Sequence, residues 1–482
     1  MNKTIFLETE TLIIGAGPAG LACAMELFKK GKDFIILEKD LEVGGLSKTY
    51  KIIGDNGDIF FTDNGPHRFF SKNQYLYDFI EDAIDGDWLK VKRQTRQFID
   101  GKFYDYPIDA FQALKNIGVP KATLMFYDYL VAKINYGILK KPVKNFRDYV
   151  VANFGRTLGE FNMINYTEKI WGISAQNIHQ DWASQRIKGL NLRSVLFDYV
   201  SNKVLKKDPN AKSLIHEFYY PRKGSGQIYN SIIGKIISGN RKIFHKVSLQ
   251  KVVKTENRFE VAFKIGDVSY VIRSKHLVES VPIKEFLQIL EPQPPQNVLK
   301  DALELKYRSQ VYLFVTLNKD KITDDQWIYF PSKKVSFGRI SEMKNFSEYL
   351  SPKGKTSLFV EFFCTEGDDM WNMDKEEVLK LFIKDSENMN LFKVEDIQNS
   401  YLMKKRNIYP VYDLFYEEKV KNVKDFLDSV PNLFAIGRPG RFRYNNQDHS
   451  LEMGIVAAKS IIENKRYDIE TIGSDKEYYE KK

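Results

Sequence analysis

Two cysteines and six histidines are all that a chain of 482 residues carries, and that scarcity excludes several chemistries. Cys23 and Cys364 lie far apart, which argues against a disulfide framework and a cysteine metal site; a reducing, cytoplasmic setting is expected. No two histidines have the spacing of ligands on one helix face, so no metal site is assigned. No stretch of about 20 apolar residues occurs, so no transmembrane helix is expected. The nearest approach, "LMFYDYLVAKINYGILKKP", is interrupted by Asp128, Lys133 and Asn135. Aromatic and lysine-flanked, it leaves peripheral membrane contact open. The N-terminal run "TLIIGAGPAGLACAMELF" is punctuated by glycine and followed by a strand, unlike a secretory signal. RNA-binding signatures, uninterrupted basic blocks, internal repeats and low-complexity tracts are also missing. The net charge of +10 favours acidic partners such as phosphates, nucleic acid or anionic lipid and chooses none of them; without a binding signature, no nucleic-acid partner is expected.

What is present is globular composition, 43% hydrophobic and 28% charged, at a length that suggests two or three domains. The stretch "ETLIIGAGPAGLACAMELFKKGKDFIILEKD" reads strand, glycine turn, helix, strand, with Gly31 as helix stop. Gly15 permits the tight turn, Gly17 admits a pyrophosphate to the backbone, and Gly20 lets helix and strand pack closely. The helix N-terminus offers N–H groups and a positive dipole end to the phosphates. Glu38 closes the second strand, where its carboxylate can accept both ribose hydroxyl protons; it also repels a 2′-phosphate, which disfavours NADP. Gly44 and Gly45 follow in "KDLEVGGLSKTY". That second pair resembles the extended motif of the FAD-dependent amine oxidase and protoporphyrinogen oxidase superfamily, and FAD is the expected cofactor.

Near the C-terminus, "NLFAIGR" reads as a buried strand ending at Gly437, and "LEMGIVAAKSII" as an apolar helix. Between them Asn446, Gln447, Asp448 and Ser450 supply short polar side chains able to bond a ribityl chain and ring. The helix dipole there suits the negative charge of a reduced flavin.

Several further stretches, "DNGPHRFFSKNQY", "QTRQFIDGKFYDYPI", "NYTEKIWGISAQNIHQDWASQRIKG", "FYYPRKGSGQIY", "WIYFP" and "RFRYNNQDHS", follow one another as in UDP-galactopyranose mutases, especially the longer eukaryotic-type ones. The resemblance runs from about Thr11 to about Ile462. It implies an α/β architecture: a Rossmann-like FAD-binding domain, a helical insertion, and an antiparallel sheet substrate domain. The FAD domain is expected in three segments, 1–87, 213–285 and 425–466; the sheet domain in two, 88–109 and 298–424; and the helical domain over 110–205. Periodicity supports helices in the last of these and strands at "SQVYLFVTLN" and "TSLFVEFFC". "EPQPPQN", residues 291–297, reads as a linker.

The implied reaction interconverts pyranose and furanose forms of a nucleotide sugar through an adduct between the sugar and N5 of reduced flavin, with NAD(P)H a candidate external reductant. No side chain need act as nucleophile, so the protein positions, stabilises charge and handles protons. By resemblance His67 sets the N5 environment, and Arg186 and Arg339 hold the diphosphate. Tyr329, Tyr409, Tyr444 and Asn446 contact the substrate, and Tyr106 and Trp171 offer faces to the nucleobase. The flavin nucleotide would also touch Lys39, Leu46, Gly65, Pro66, Val247 and Arg438. Asp109 and Thr167 stand where eukaryotic-type mutases carry glutamine and asparagine, which leaves the nucleotide and sugar open. The alternatives are an FAD-dependent oxidoreductase of the protoporphyrinogen oxidase or desaturase kind, and a non-catalytic flavin-binding protein. The first shares the N-terminal and C-terminal motifs and would want a larger apolar substrate tunnel. Oligomeric state is left open.

Overall fold

Short β-branched runs assemble into two large sheets in this computed structural model, which describes residues 4–106, 110–180, 182 and 217–472. In the first sheet, the end of Thr4–Ile14 ("TLII") is buried throughout, as the central strand of a layer covered on both faces requires. Phe34–Leu37 runs parallel on one side, with Lys242–Phe244 beyond it. Val268–Glu279 runs parallel on the other, in register from Thr4↔Ser269 to Ile14↔Glu279. Its first half carries the antiparallel strands Phe259–Ile265 and Ser248–Lys254, and its last three residues pair with Leu433–Ala435. Segments from three regions of the chain thus close one Rossmann-like sheet.

The helices Pro18–Lys29 and Gln447–Ile462 lie against that sheet in backbone contact. A Cβ on Gly454 would stand 2.0 Å from the Ala19 carbonyl oxygen, so only glycine allows the approach. Residues distant in sequence are thereby brought to the same end of the parallel strands.

The second sheet has the order Ile397–Pro410, Tyr307–Leu317, Thr356–Cys364, Arg339–Glu342, Trp327–Tyr329, Thr95–Ile99, Lys102–Asp105. Every residue from Arg308 to Leu317 is buried, yet the period of two survives. Val311, Leu313, Val315 and Leu317 face one cluster with Val378 and Phe382, whereas Tyr312 and Phe314 face another with Phe60 and Phe346. The sheet is therefore a middle layer.

Three expectations need correction. The second sheet is mixed, because Trp327–Tyr329 joins Thr95–Ile99 in parallel; strands so distant in the chain need no hairpin between them. Trp88–Lys92 leaves that sheet and pairs with Glu217–Pro221 as a separate ribbon. The 291–297 linker narrows, since Leu290–Glu291 is a strand and the helix Gln296–Glu304 has already begun. Helices dominate residues 110–180, among them Val119–Ala132, Phe146–Phe154 and Asn165–Trp171.

Candidate functional site

The glycine turn is built to leave space. Gly15 has φ +101°, and a Cβ there would fall 2.3 Å from Ser280 Oγ; one on Gly20 would fall 1.9 Å from the Gly15 carbonyl oxygen. Gly17 caps the helix without a side chain and Pro18 begins it, so the first N–H groups stay available. Glu38 is buried; its two oxygens accept from the Ala16 N–H at 2.7 Å and the Asp40 N–H at 2.9 Å. Each oxygen keeps a further lone pair for a hydroxyl. Val247 N–H donates to the Glu38 carbonyl at 3.0 Å, and Gly44 N–H to the Ala16 carbonyl at 2.8 Å, which sets the second glycine pair against the first. A Cβ on Gly45 would lie 3.1 Å from Gly17 Cα. Leu46 is half-buried beside this cradle, and Lys39 is exposed.

The strand Ile59–Asp63 delivers the histidine loop. Asp63 accepts from Tyr220 Oη at 2.7 Å, Ser225 N–H at 3.0 Å and Thr49 Oγ1 at 2.5 Å, and burial still pushes its pKa up to about 7. Beyond it, the His67 N–H donates to the Gly65 carbonyl at 2.9 Å across Pro66 and closes a tight turn. The His67 ring is half-buried, and its Nδ1 has no hydrogen-bond partner. Burial, then the nearby guanidiniums of Arg438 and Arg339, pull its pKa down to about 3. The imidazole is neutral at physiological pH.

Gln447 ties this loop to the C-terminal helix. Its amide accepts from Tyr229 Oη at 3.0 Å and Ser225 Oγ at 3.1 Å, and donates to the Arg68 carbonyl at 3.1 Å. Those partners occupy Gln447, so it orders the loop. Ser450 Oγ donates to Asn445 Oδ1 at 3.3 Å. Asp448 is buried, and burial raises its pKa to about 7. Asn446, the residue before the helix, is exposed.

Gly437 opens a short turn that carries Arg438. The guanidinium lies 5.2 Å from the Tyr409 ring and 5.3 Å from the Tyr444 ring, and is held by the Ile408 carbonyl at 3.1 Å and the Asn445 carbonyl at 3.2 Å. The two rings stack at 5.6 Å. On the sheet, Arg339 stands opposite both Glu361 and Tyr329 in register. It forms a forked ion pair with Glu361, with Nη2 2.8 Å from Oε1, and its guanidinium lies 6.0 Å from the Tyr329 ring. Tyr329 in turn meets Tyr166 at 5.5 Å and Tyr106 at 5.9 Å. Arg93 covers the Tyr106 ring at 5.3 Å and the Trp327 ring at 5.8 Å; Arg68 covers Trp327 at 5.9 Å. Two groups of rings, Tyr409 with Tyr444 and Tyr329 with Tyr166, Tyr106 and Trp327, thus carry guanidiniums, and Arg339, paired with Glu361, acts on both Tyr329 and Tyr409. Arg339 and Arg438, set among hydroxyl-bearing rings, are suited to a bound polyanion.

His67, Arg339, Arg438, Tyr329, Tyr409, Tyr444 and Tyr106 are brought into this one neighbourhood. Arg186 and Asp109 lie outside the described residues. Base stacking on Trp171 is corrected by its burial: the ring is 1% exposed, with Trp182 at 4.6 Å and Tyr412 stacked at 6.1 Å. Tyr106, 40% exposed, has the accessible ring. Thr167 is buried on the same helix as Trp171. Sequence reasoning missed Glu361, Tyr166, Arg93 and Lys169. Lys169 Nζ lies within hydrogen-bond reach of four carbonyls, those of Phe330 (2.6 Å), Ser332 (2.6 Å), Val335 (2.8 Å) and Phe337 (3.0 Å), which share its N–H donors, and it clamps the loop between Tyr329 and Arg339. A lone carboxylate inside "TSLFVEFFC" was the available signal for Glu361, since a charge in an apolar strand requires a partner.

Residues 13–83 match the NAD(P)-binding Rossmann-like domain family. A UDP-galactopyranose mutase of Mycoplasma pneumoniae is 33% identical over 186 residues, which cover 37% of this chain and 44% of that one. The chain thus spans less than half the length of this curated relative in the match. A crystal structure of a reduced UDP-galactopyranose mutase superposes with a TM-score of 0.82 at 21% identity, over 98% of both chains. Cyclohexylamine oxidase from Brevibacterium oxydans superposes with 0.66 at 13% identity, over 95% of this chain and 99% of that one. These likenesses establish the fold, a mixed α/β architecture with a Rossmann-like dinucleotide-binding domain. The resemblance to UDP-galactopyranose mutases drawn from the motifs is met both by a sequence relative and by a structure.

Proposed function

We propose that the chain is an FAD-dependent mutase that interconverts the pyranose and furanose forms of a nucleotide sugar, with UDP-galactose the first substrate to test. The observation that carries this reading is the placement of Arg339 and Arg438 among Tyr329, Tyr409 and Tyr444 beside the His67 loop. An oxidase acting on an apolar substrate has no use for that charge.

The cradle fits FAD. Glycines leave the volume that any side chain would fill, and Glu38 retains acceptor capacity for ribose hydroxyls. The N-terminus of Pro18–Lys29 takes the pyrophosphate, and that of Gln447–Ile462, with Asn446 beside it, takes the anionic edge of the ring. Lys39, Leu46, Gly65, Pro66 and Val247 complete the enclosure. Reduced FAD held there supplies a nucleophilic ring nitrogen for the anomeric carbon. Arg339 and Arg438, together with Arg186, fix the leaving diphosphate, and Tyr329, Tyr409 and Tyr444 donate hydroxyl hydrogen bonds to it. His67 stays uncharged, so it adds no cation beside the reacting ring and keeps Nδ1 for a hydrogen bond. Tyr106 stacks on the base.

The test is an anaerobic incubation of dithionite-reduced enzyme with UDP-galactopyranose, followed by chromatographic separation of the two ring forms. Furanose should appear with reduced enzyme and not with oxidised enzyme. Bleaching of the oxidised flavin by substrate, with peroxide released in air and no ring isomer from any nucleotide sugar, would defeat the proposal.

A further inference from the structure

The helix Val119–Ala132 and the turn of wider helix that continues it to Ile138 bury the wrong face for a surface helix. Met125, Tyr129 and Ala132, spaced for one face, point inward, and Gly155 lets the next segment approach so closely that a Cβ on it would stand 2.7 Å from the Tyr129 nitrogen. The opposite face is ordinarily polar. Here it carries Phe126, Tyr127, Leu130, Ile134, Ile138 and Leu139, exposed from 45% at Leu130 to 74% at Ile138. Twenty helical residues make a stripe about 30 Å long. An apolar patch of that extent marks a partner surface.

The flanking charges say which partner. Lys140, Lys141 and Lys144 follow the stripe, exposed and without an ion pair to any described residue. Asp128 accepts from the Thr157 N–H at 3.0 Å, and Asp148 from Tyr136 Oη at 3.1 Å and the Lys144 N–H at 3.2 Å; neither forms an ion pair with one of these lysines. An anionic lipid surface supplies both the apolar layer and the negative charge. No described helix is long and apolar enough to cross a membrane, so the stripe would lie flat in the interface.

We propose that this face is a peripheral membrane-binding surface for anionic lipid. The chain should co-sediment with vesicles of phosphatidylcholine mixed with phosphatidylglycerol, and far less with phosphatidylcholine alone. Binding should weaken as salt rises to about 0.5 M. Lys140→Glu, Lys141→Glu and Lys144→Glu together should weaken it by about a hundredfold. Phe126→Ser, Leu130→Ser and Ile134→Ser together should abolish it, while circular dichroism and thermal unfolding stay those of the parent chain. Absence of binding to either vesicle would overturn the proposal. So would a dimer in light scattering that the serine variant converts to monomer, because a second copy would then cover the face.

Discussion

Replacing Glu361 by glutamine removes the counter-ion of Arg339 without changing side-chain size. In the parent chain the carboxylate is 1% exposed and the guanidinium side chain 17% exposed, and two N–H donors of Arg339 converge on it. Gln310 Nε2 lies 3.3 Å from the same carboxylate and cannot take over the charge. Breaking a buried pair from one side costs about 3–5 kcal/mol, and the residual water access at Arg339 brings the expected loss to roughly 2–3 kcal/mol. A diphosphate bound beside Arg339 would return the missing negative charge. Glu361→Gln should therefore unfold at lower urea than the parent, and UDP should raise its melting temperature more than it raises the parent's. Differential scanning fluorimetry across a UDP titration reads both effects. Equal UDP responses in the two proteins, or an unchanged urea midpoint, would refute the reasoning that Arg339 faces the anion site.

Glu38→Ala should lose charge-assisted contacts of about 1.5–3 kcal/mol and weaken FAD binding by roughly ten- to a hundredfold, as read by flavin fluorescence titration; unchanged affinity would place the ribose elsewhere. Lys169→Met leaves four carbonyls without their shared donor, so a loss of about 3 kcal/mol or more is expected, with faster tryptic cleavage after Lys333 or Lys334. An uncleaved loop would show that the ammonium is not its clamp. His67 has a folded pKa of about 3 against roughly 6.5 unfolded, so between these values the unfolded chain holds more protons. Its contribution is complete above about pH 6.5 and is lost as pH falls toward 3, and His67→Asn should flatten the acid limb of stability measured by urea unfolding. A limb of unchanged slope would remove His67 from the buried, guanidinium-flanked environment described.

The dinucleotide cradle was legible because most of its constraints are local: the positive φ of Gly15, the approach of Gly20 to the Gly15 carbonyl and the Glu38 bond to the Ala16 N–H all fall within one strand–turn–helix–strand unit, whereas the Ser280 side chain against Gly15 arrives from a distant segment. Tyr307–Leu317 and Thr356–Cys364 were legible as strands from residue type. Their burial on both faces was not, because it depends on Phe60, Phe346 and Phe382, which arrive from distant segments. Trp171 and Tyr106 show the limit for site residues. Both are aromatics in motif-like surroundings, and only the packing of Trp182 and Tyr412 on one of them separates core from open face. Lys169 was invisible for a similar reason: its partners are backbone carbonyls, which no side-chain pattern encodes.

The central claim, isomerisation without net redox change, is tested most directly by counting turnovers per electron pair. Enzyme reduced anaerobically with one equivalent of dithionite should convert many equivalents of nucleotide sugar between ring forms while its absorbance stays that of reduced flavin. Conversion that stops at one equivalent, or reoxidation of the flavin in step with substrate, would contradict the account.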